Sequence, residues 1–202
     1  MSPYIVRDLR PDEFDKAVEV ISRGMRDNPI HVQALGDDPR ARVVALTRMF
    51  GNVLPLLARK GFVLGAFKQD ELAGVTGMVS PGECQPTPLE MLRLLPKILA
   101  AVGVGSFGRV GQWMNEWKKH DLSEPPHWHL GPVAVDTHLQ GAGIGSAMMA
   151  EYCARIDKVR AAGYLETDKL VNVGFYEKFG FKTIGETKVL NIPNWFMRRP
   201  PA

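Results

Sequence analysis

Apolar positions along this chain fall into helical and strand-like groups, and turn residues separate them. Tyr4–Arg7 reads as a short first strand. Phe14, Ala17, Val18, Ile21 and Met25 then recur at helical spacing, which turns one stripe inward, with Asp12 placed to cap the helix and Asn28-Pro29 to break it. Asp38-Pro39 starts a second helix: the carboxylate caps, and the proline sits where its missing N–H does no harm. The stripe of that helix is Val43, Leu46, Phe50, Val53 and Leu57, and Pro55 inside it predicts a kink or an early end. Gly61 opens two strands, Phe62–Phe67 and Leu72–Val79, joined as a hairpin by Lys68-Gln69-Asp70-Glu71. Residues 81–126 are less regular. They start with Pro-Gly-Glu-Cys-Gln-Pro-Thr-Pro and end at Pro125-Pro126, with helical patches between, and predict two helices or one broken helix inserted between strands.

The last third is orderly. His127–Val135 reads as a strand, and Gly141–Ala162 as a helix with Ile144, Met148, Tyr152, Ile156 and Val159 on one face, stopped by Gly163. A strand at Tyr164–Thr167, a short helix at Asn172–Phe179 closed by Gly180, and a strand at Phe181–Leu190 follow. Trp195–Arg198 reads as a final edge strand, a dimer contact or a tail, and nothing in the sequence chooses among the three. Helices alternating with strands around a central hairpin indicate an α/β fold with a mixed sheet.

Composition narrows the picture. The 202 residues suit one domain, 1–202, with enough chain to bury a core. A net charge of +3 is too mild to argue for nucleic acid, and suits a small anionic ligand. Two cysteines, Cys84 and Cys153, exclude a disulfide scaffold and a four-thiolate zinc site and fit a reducing compartment, so a cytoplasmic location is expected. The N-terminal MSPYIVRDLRPDEF lacks the apolar stretch of a signal peptide. The most apolar stretch, Leu89–Val110, is interrupted by Arg93, Pro96, Lys97 and glycines, so no membrane span is expected.

The informative stretch is Val133-Ala-Val-Asp-Thr-His-Leu-Gln-Gly-Ala-Gly-Ile-Gly-Ser146. Glycines let backbone approach a ligand closely. Successive backbone N–H groups, with the unpaired N–H groups of a helix's first turn, form a cradle for phosphate or diphosphate. A dinucleotide-binding turn is disfavoured, because Ser146 stands where its last glycine belongs and Asp136–Gln140 separate the glycines from the strand.

Gln140-Gly-Ala-Gly143-Ile-Gly145 resembles the Gln/Arg-x-x-Gly-x-Gly/Ala loop of the GNAT N-acetyltransferase superfamily, and Asn172-Val-Gly-Phe-Tyr176-Glu-Lys-Phe-Gly180-Phe181 is similar to that family's Asn-x-x-x-Tyr-x-Lys-x-Gly-Phe block. The two blocks and the strand Trp128–Val135 give motif agreement over residues 127–182; the rest agrees in element order. The resemblance implies a GNAT-type, largely antiparallel central sheet with helices on both faces; residues 81–126 are longer than a minimal member needs and are read as a helical insertion on the acceptor side, since inserted helices on a fixed scaffold are where specificity usually varies. It implies acetyl-coenzyme A as acyl donor and a small-molecule or peptide amine as acceptor, attacked directly in a ternary complex, with no nucleic acid or membrane partner. The cofactor contacts carried over are Val133, Val135, Gln140, Gly141, Ala142, Gly143, Ile144, Gly145, Ser146 and Asn172. Tyr176 is carried over as the acid that protonates the departing thiolate; a phenol stays protonated at neutral pH.

The base stays open among His127, His129, Glu83 and Glu166. Asn172 can also be read as a helix cap, and Lys178 as a solvated lysine rather than a phosphate contact. His127-x-His129 has no third ligand nearby in sequence, so no metal is expected. Cys84 beside prolines is read as incidental. The alternative to an enzyme is a silent acyl-coenzyme A sensor or interaction module.

Overall fold

The computed structural model describes residues 3–121 and 125–202; residues 1–2, and 122–124 within the predicted insertion, lie outside the described residues. Seven strands form one sheet in the order β1-β2-β3-β4-β5-β7-β6. They are β1 (Tyr4–Asp8), β2 (Gly61–Lys68), β3 (Glu71–Val79), β4 (His127–Val135), β5 (Ala162–Thr167), β6 (Lys182–Val189) and β7 (Ile192–Arg199). Every neighbouring pair is antiparallel except β4 and β5. The expected mixed, largely antiparallel sheet is therefore present.

Seven α-helices cover it: α1 (Phe14–Met25), α2 (Pro29–Leu35), α3 (Pro39–Lys60), α4 (Pro88–Val102), α5 (Val104–His120), α6 (Ile144–Lys158) and α7 (Leu170–Glu177). On one face α1 and α3 bury Val18, Ile21, Leu46, Phe50 and Leu54 against Val63, Val75 and Ala134. On the other, Met149, Tyr152 and Ile156 of α6 and Val173 and Tyr176 of α7 pack on Leu64, Met78, Leu130 and Leu165. Helices thus lie on both faces. The insertion forms two helices, α4 and α5, that turn at Gly103 with φ +74°, and α5 lies over the β6–β7 end, where His120 stacks on Phe196 at 4.0 Å.

Several expectations are corrected. Asp12 does not cap α1; it sits in a 3-10 turn, Pro11–Glu13, where Glu13 takes the Arg10 backbone N–H at 2.8 Å. Asn28-Pro29 ends α1 but also starts α2, because proline suits the first turn of a helix. Asp38 caps α3 as expected, accepting from the Arg40 N–H at 2.9 Å, yet α3 runs through Pro55 to Lys60. This helix is long and apolar enough to cross a bilayer by length and composition, and here it packs its apolar stripe on the sheet. α6 begins at Ile144 and ends at Lys158, and Gly163 lies inside β5, where a Cβ would meet the Tyr152 hydroxyl at 2.7 Å. β7 is no edge strand: it runs between β5 and β6.

Two contacts hold the helical layer over the far ends of β4 and β5. A Cβ on Gly24, near the end of α1, would lie 2.4 Å from the Val135 carbonyl oxygen. The Ile30 N–H, in the first turn of α2, donates to Asp168 Oδ2 at 2.7 Å, just beyond β5. Gly24→Ala is therefore expected to cost about 1–3 kcal/mol by forcing backbone apart. A urea melt should show a lower midpoint with an unchanged slope.

Candidate active site

The site starts from a failure of pairing. β4 and β5 pair through only His127↔Ala162, Trp128↔Gly163 and His129↔Tyr164. Beyond that point β4 stays bonded to β3 alone, through Leu130↔Met78, Val133↔Thr76, Ala134↔Val75 and Val135↔Gly74. The β3–β4 register shifts between Thr76 and Met78, beside Gly131-Pro132, and a proline has no N–H to continue a ladder. The result is a strand with one partnered edge and one unpartnered edge. Val133 and Val135 lie on that segment with half-buried side chains that pack toward α6, so they serve the core on a stretch that is paired to β3 and to no second strand among the described residues.

The glycine turn follows at once. Gly141 and Gly143 have φ of +81° and +85°, which a side-chain-bearing residue rarely adopts, and a Cβ on either would point into open space. α6 begins at Ile144 with no side chain capping it. The N–H groups of Ile144, Gly145 and Ser146 in its first turn therefore lie beyond the reach of the helix's own ladder. The loop is held from behind. Tyr4 donates its hydroxyl to the Ala142 carbonyl at 2.7 Å, and the Gln140 side-chain amide donates to the Val135 carbonyl at 3.2 Å. The Ile144 side chain is buried with Ala66, Ala73 and Met148, so it anchors the turn from the core. Rigid backing, open front and unpaired N–H groups suit a diphosphate.

Tyr176 of α7 is buried in the cluster that includes Leu130 and Leu165, with Val133 packed against it. Burial, then the nearby Asp168 charge, pushes its phenol above the ordinary tyrosine range, so it holds its proton. No hydrogen bond engages its hydroxyl among the described residues. Asn172 is inside α7 rather than capping it, because Lys169 takes the cap position; its amide donates to Thr167 Oγ1 at 3.1 Å. Lys178 is exposed.

The opposite face of the same strands carries a polar cluster. His127 and His129 share that face of β4, and Tyr164 and Glu166 share it on β5. Glu166 lies two residues past the last β4–β5 pair, inside the opening. His129 Nε2 is 2.8 Å from Glu166 Oε2, and its Nδ1 is 3.4 Å from Asp121 Oδ2. Burial opposes the His129 charge, but the Glu166 charge and the Asp121 hydrogen bond win and hold its pKa well above the ordinary value. His127 Nε2 is 2.8 Å from Asp121 Oδ1 and 3.9 Å from Cys84 Sγ. Against the cost of burial, Asp121 raises His127 to about 9. In return both histidines hold Asp121 well below the usual carboxylate range. The Tyr164 hydroxyl is buried and faces Glu166, and among the described residues it makes no hydrogen bond of good geometry.

Of the four base candidates, His129 and Glu166 meet at the opening, His127 lies two residues back along the paired part of β4 and joins them through Asp121, and Glu83 lies apart. Glu83 pairs with Lys60 at 3.1 Å on the surface. Asp121 escaped sequence reading because nothing local marks it; only the return of α5 to the first residue of β4 brings it in. Cys84 is not incidental to this cluster, since it faces His127.

Comparison with known proteins agrees with this fold. Residues 98–183 match the family model described as acetyltransferase (GNAT) domain. The whole chain superposes on the structure described as histone acetyltransferase HPA2 and related acetyltransferase from Corynebacterium glutamicum, with TM-score 0.76, 22% identity and 98% of that chain covered. The ribosomal-protein-S18-alanine N-acetyltransferase from Escherichia coli is similar at TM-score 0.59 and 11% identity, covering 98% of this chain and 94% of its own. A GNAT family acetyltransferase from Brucella melitensis, solved in complex with acetyl-CoA, is similar at TM-score 0.54 and 18% identity, covering 98% and 87%. At these identities the likeness to solved structures is one of fold.

Proposed function

We propose that this chain is a GNAT-type acyltransferase and that it transfers an acetyl group from acetyl-coenzyme A to a primary amine, by direct attack in a ternary complex. The observation that carries it is the parting of β4 and β5 after His129 and Tyr164, with Glu166 on one face of the opening and Tyr176 on the other. The glycine turn at 141–146 would hold the diphosphate, and Asn172 would contact the donor from α7. The open edge of β4 at Val133 and Val135 would take the amide-bearing arm as an added strand. The donor then enters from the α6–α7 side. The amine enters from the side of α1–α5, where the insertion α4–α5 shapes its approach.

Two proton transfers map onto residues. Glu166 takes one proton of the incoming ammonium, directly or through water; the amine then forms the C–N bond, and the second proton, shed by the nitrogen as the C–S bond breaks, passes to solvent water. His129, held between Asp121 and Glu166, fixes that carboxylate and is a positioning residue. The Tyr164 hydroxyl supplies a polar contact beside Glu166 for an amine or a water. Tyr176, protonated and unpartnered, delivers a proton to the departing thiolate. Holding both reactants in one opening adds several kcal/mol, up to about 7–11 in the best model reactions.

A panel of amines, assayed by free-thiol release from acetyl-coenzyme A, tests the reading. Turnover with any primary amine supports it; tight binding with no turnover across the panel would make the chain a sensor and overturn it. Tyr176→Phe should lower kcat by about tenfold or more with little change in acetyl-coenzyme A affinity. Its thermal midpoint should stay near that of the parent, because the lost hydroxyl has no hydrogen bond to forfeit.

A further inference from the structure

The two ends of the insertion meet at one point, and the side chains that meet there are metal donors. Cys84 lies in the segment between β3 and α4, Asp121 directly follows α5, and His127 is the first residue of β4. One donor atom from each lies within 4.8 Å of the other two. From these residues we infer a divalent-metal site, of the zinc class, built from Cys84 Sγ, Asp121 Oδ1 and His127 Nε2, which fastens both ends of the α4–α5 insertion to the sheet.

The arrangement of the ring is the main argument. In a cysteine–histidine–acid catalytic array, thiol and carboxylate engage opposite nitrogens of the imidazole. Here both face the same nitrogen: Asp121 Oδ1 is 2.8 Å and Cys84 Sγ 3.9 Å from His127 Nε2. The other nitrogen, Nδ1, is 3.3 Å from the Pro125 carbonyl, which can only accept, so Nδ1 carries the hydrogen. That is the outer bond metal-ligating histidines make, and it aims the Nε2 lone pair at the sulfur and the carboxylate. Asp121 is oriented in the same way. Its second oxygen, Oδ2, takes the Gln85 amide at 3.1 Å and faces His129 at 3.4 Å, which leaves Oδ1 turned toward His127.

The spacings suit a small borderline ion. Tetrahedral zinc with bonds of about 2.0 Å to nitrogen and oxygen and 2.3 Å to sulfur puts N and S about 3.5 Å apart and N and O about 3.3 Å apart. The observed N–S distance of 3.9 Å is longer and the N–O distance of 2.8 Å shorter than those, and all three donors lie within 4.8 Å of one another, so side-chain movement is what draws them onto the ion. A thiolate, an imidazole and a carboxylate are the mixed donor set zinc takes, and Cys84 is half-buried, so the ion has a way in from solvent. Without metal, a proton occupies the Nε2–Oδ1 contact. On binding, the metal displaces that proton and the thiol's proton to solvent; three bonds to the ion form and no electron is transferred. None of the three ligands is Glu166 or Tyr176; Asp121 also faces His129 through Oδ2, so metal binding is read by spectroscopy and thermal stability rather than by turnover.

Chelator-treated full-length protein titrated with Co2+ tests this directly. The expected result is one equivalent bound, with a thiolate-to-cobalt charge-transfer band that one equivalent of Zn2+ abolishes, and a thermal midpoint that rises with Zn2+. C84S and H127Q should each weaken Zn2+ by about tenfold or more, and C84S should lose the band; C153S should keep both. Absence of stoichiometric binding, or a band that survives C84S, overturns the site. Should the variants fail to fold, the parent protein still decides: Zn2+ must slow alkylation of Cys84 relative to Cys153, and equal rates with and without Zn2+ overturn the site.

Discussion

Glu166→Gln is expected to lower kcat by about two to three orders of magnitude, the range a positioned general base supplies. Glutamine keeps the shape of the side chain and can still contact His129, but it takes up no proton. His129 retains Asp121 as its partner, so the pocket keeps a counter-charge and the fold should hold. Acetyl-coenzyme A affinity should be nearly unchanged, because Glu166 stands on the face opposite α6 and α7. Single-turnover thiol release, paired with calorimetry for the donor, separates the two quantities. An unchanged kcat would remove Glu166 from the role of base, and a parallel loss of donor affinity would assign it to binding.

Gly143→Val should act on the other substrate. Gly143 has φ +85° and precedes the first turn of α6. A β-branched residue resists that conformation at a cost of about 1–2 kcal/mol, and its side chain would project where the diphosphate is proposed to sit. Displacing the anion from two backbone N–H groups forfeits charge-assisted hydrogen bonds of about 1.5–3 kcal/mol each, which corresponds to about a 10²–10⁴-fold loss of donor affinity. Calorimetry should show that loss while far-ultraviolet dichroism stays that of the parent, since a Cβ at this position meets no neighbour within 4 Å. Retention of parental affinity would move the diphosphate away from this turn.

Local chemistry made much of this legible in the sequence. Asp38-Pro39 marked the start of α3, the polar link at 68–71 marked the β2–β3 hairpin, and the glycines at 141, 143 and 145 marked the turn into α6. Errors came where tertiary contacts overrode local signals. Gly163 looks like a helix stop, yet it serves a close approach of β5 to Tyr152. Pro55 does not end α3, whose flanking Leu54 and Leu56 are buried in the fold. β7 escaped recognition as an interior strand because sheet order is set by long-range pairing, with Glu166↔Phe196 on one side and Thr183↔Met197 on the other. Asp121 and Cys84 were invisible as partners of His127 for a related reason. They lie at the two ends of the inserted helical pair, and only its folding back joins them.

The placement of Glu166 and Tyr176 on opposite sides of the sheet has a kinetic corollary. On the proposed roles, each turnover would leave one carboxyl that has gained a hydrogen ion and one phenolate that has lost one, with the strands between them keeping the two from trading directly. Resetting the enzyme would then require two separate exchanges with bulk water, and the phenolate, enclosed by α7 and its neighbours, would regain its hydrogen only once the spent carrier has left.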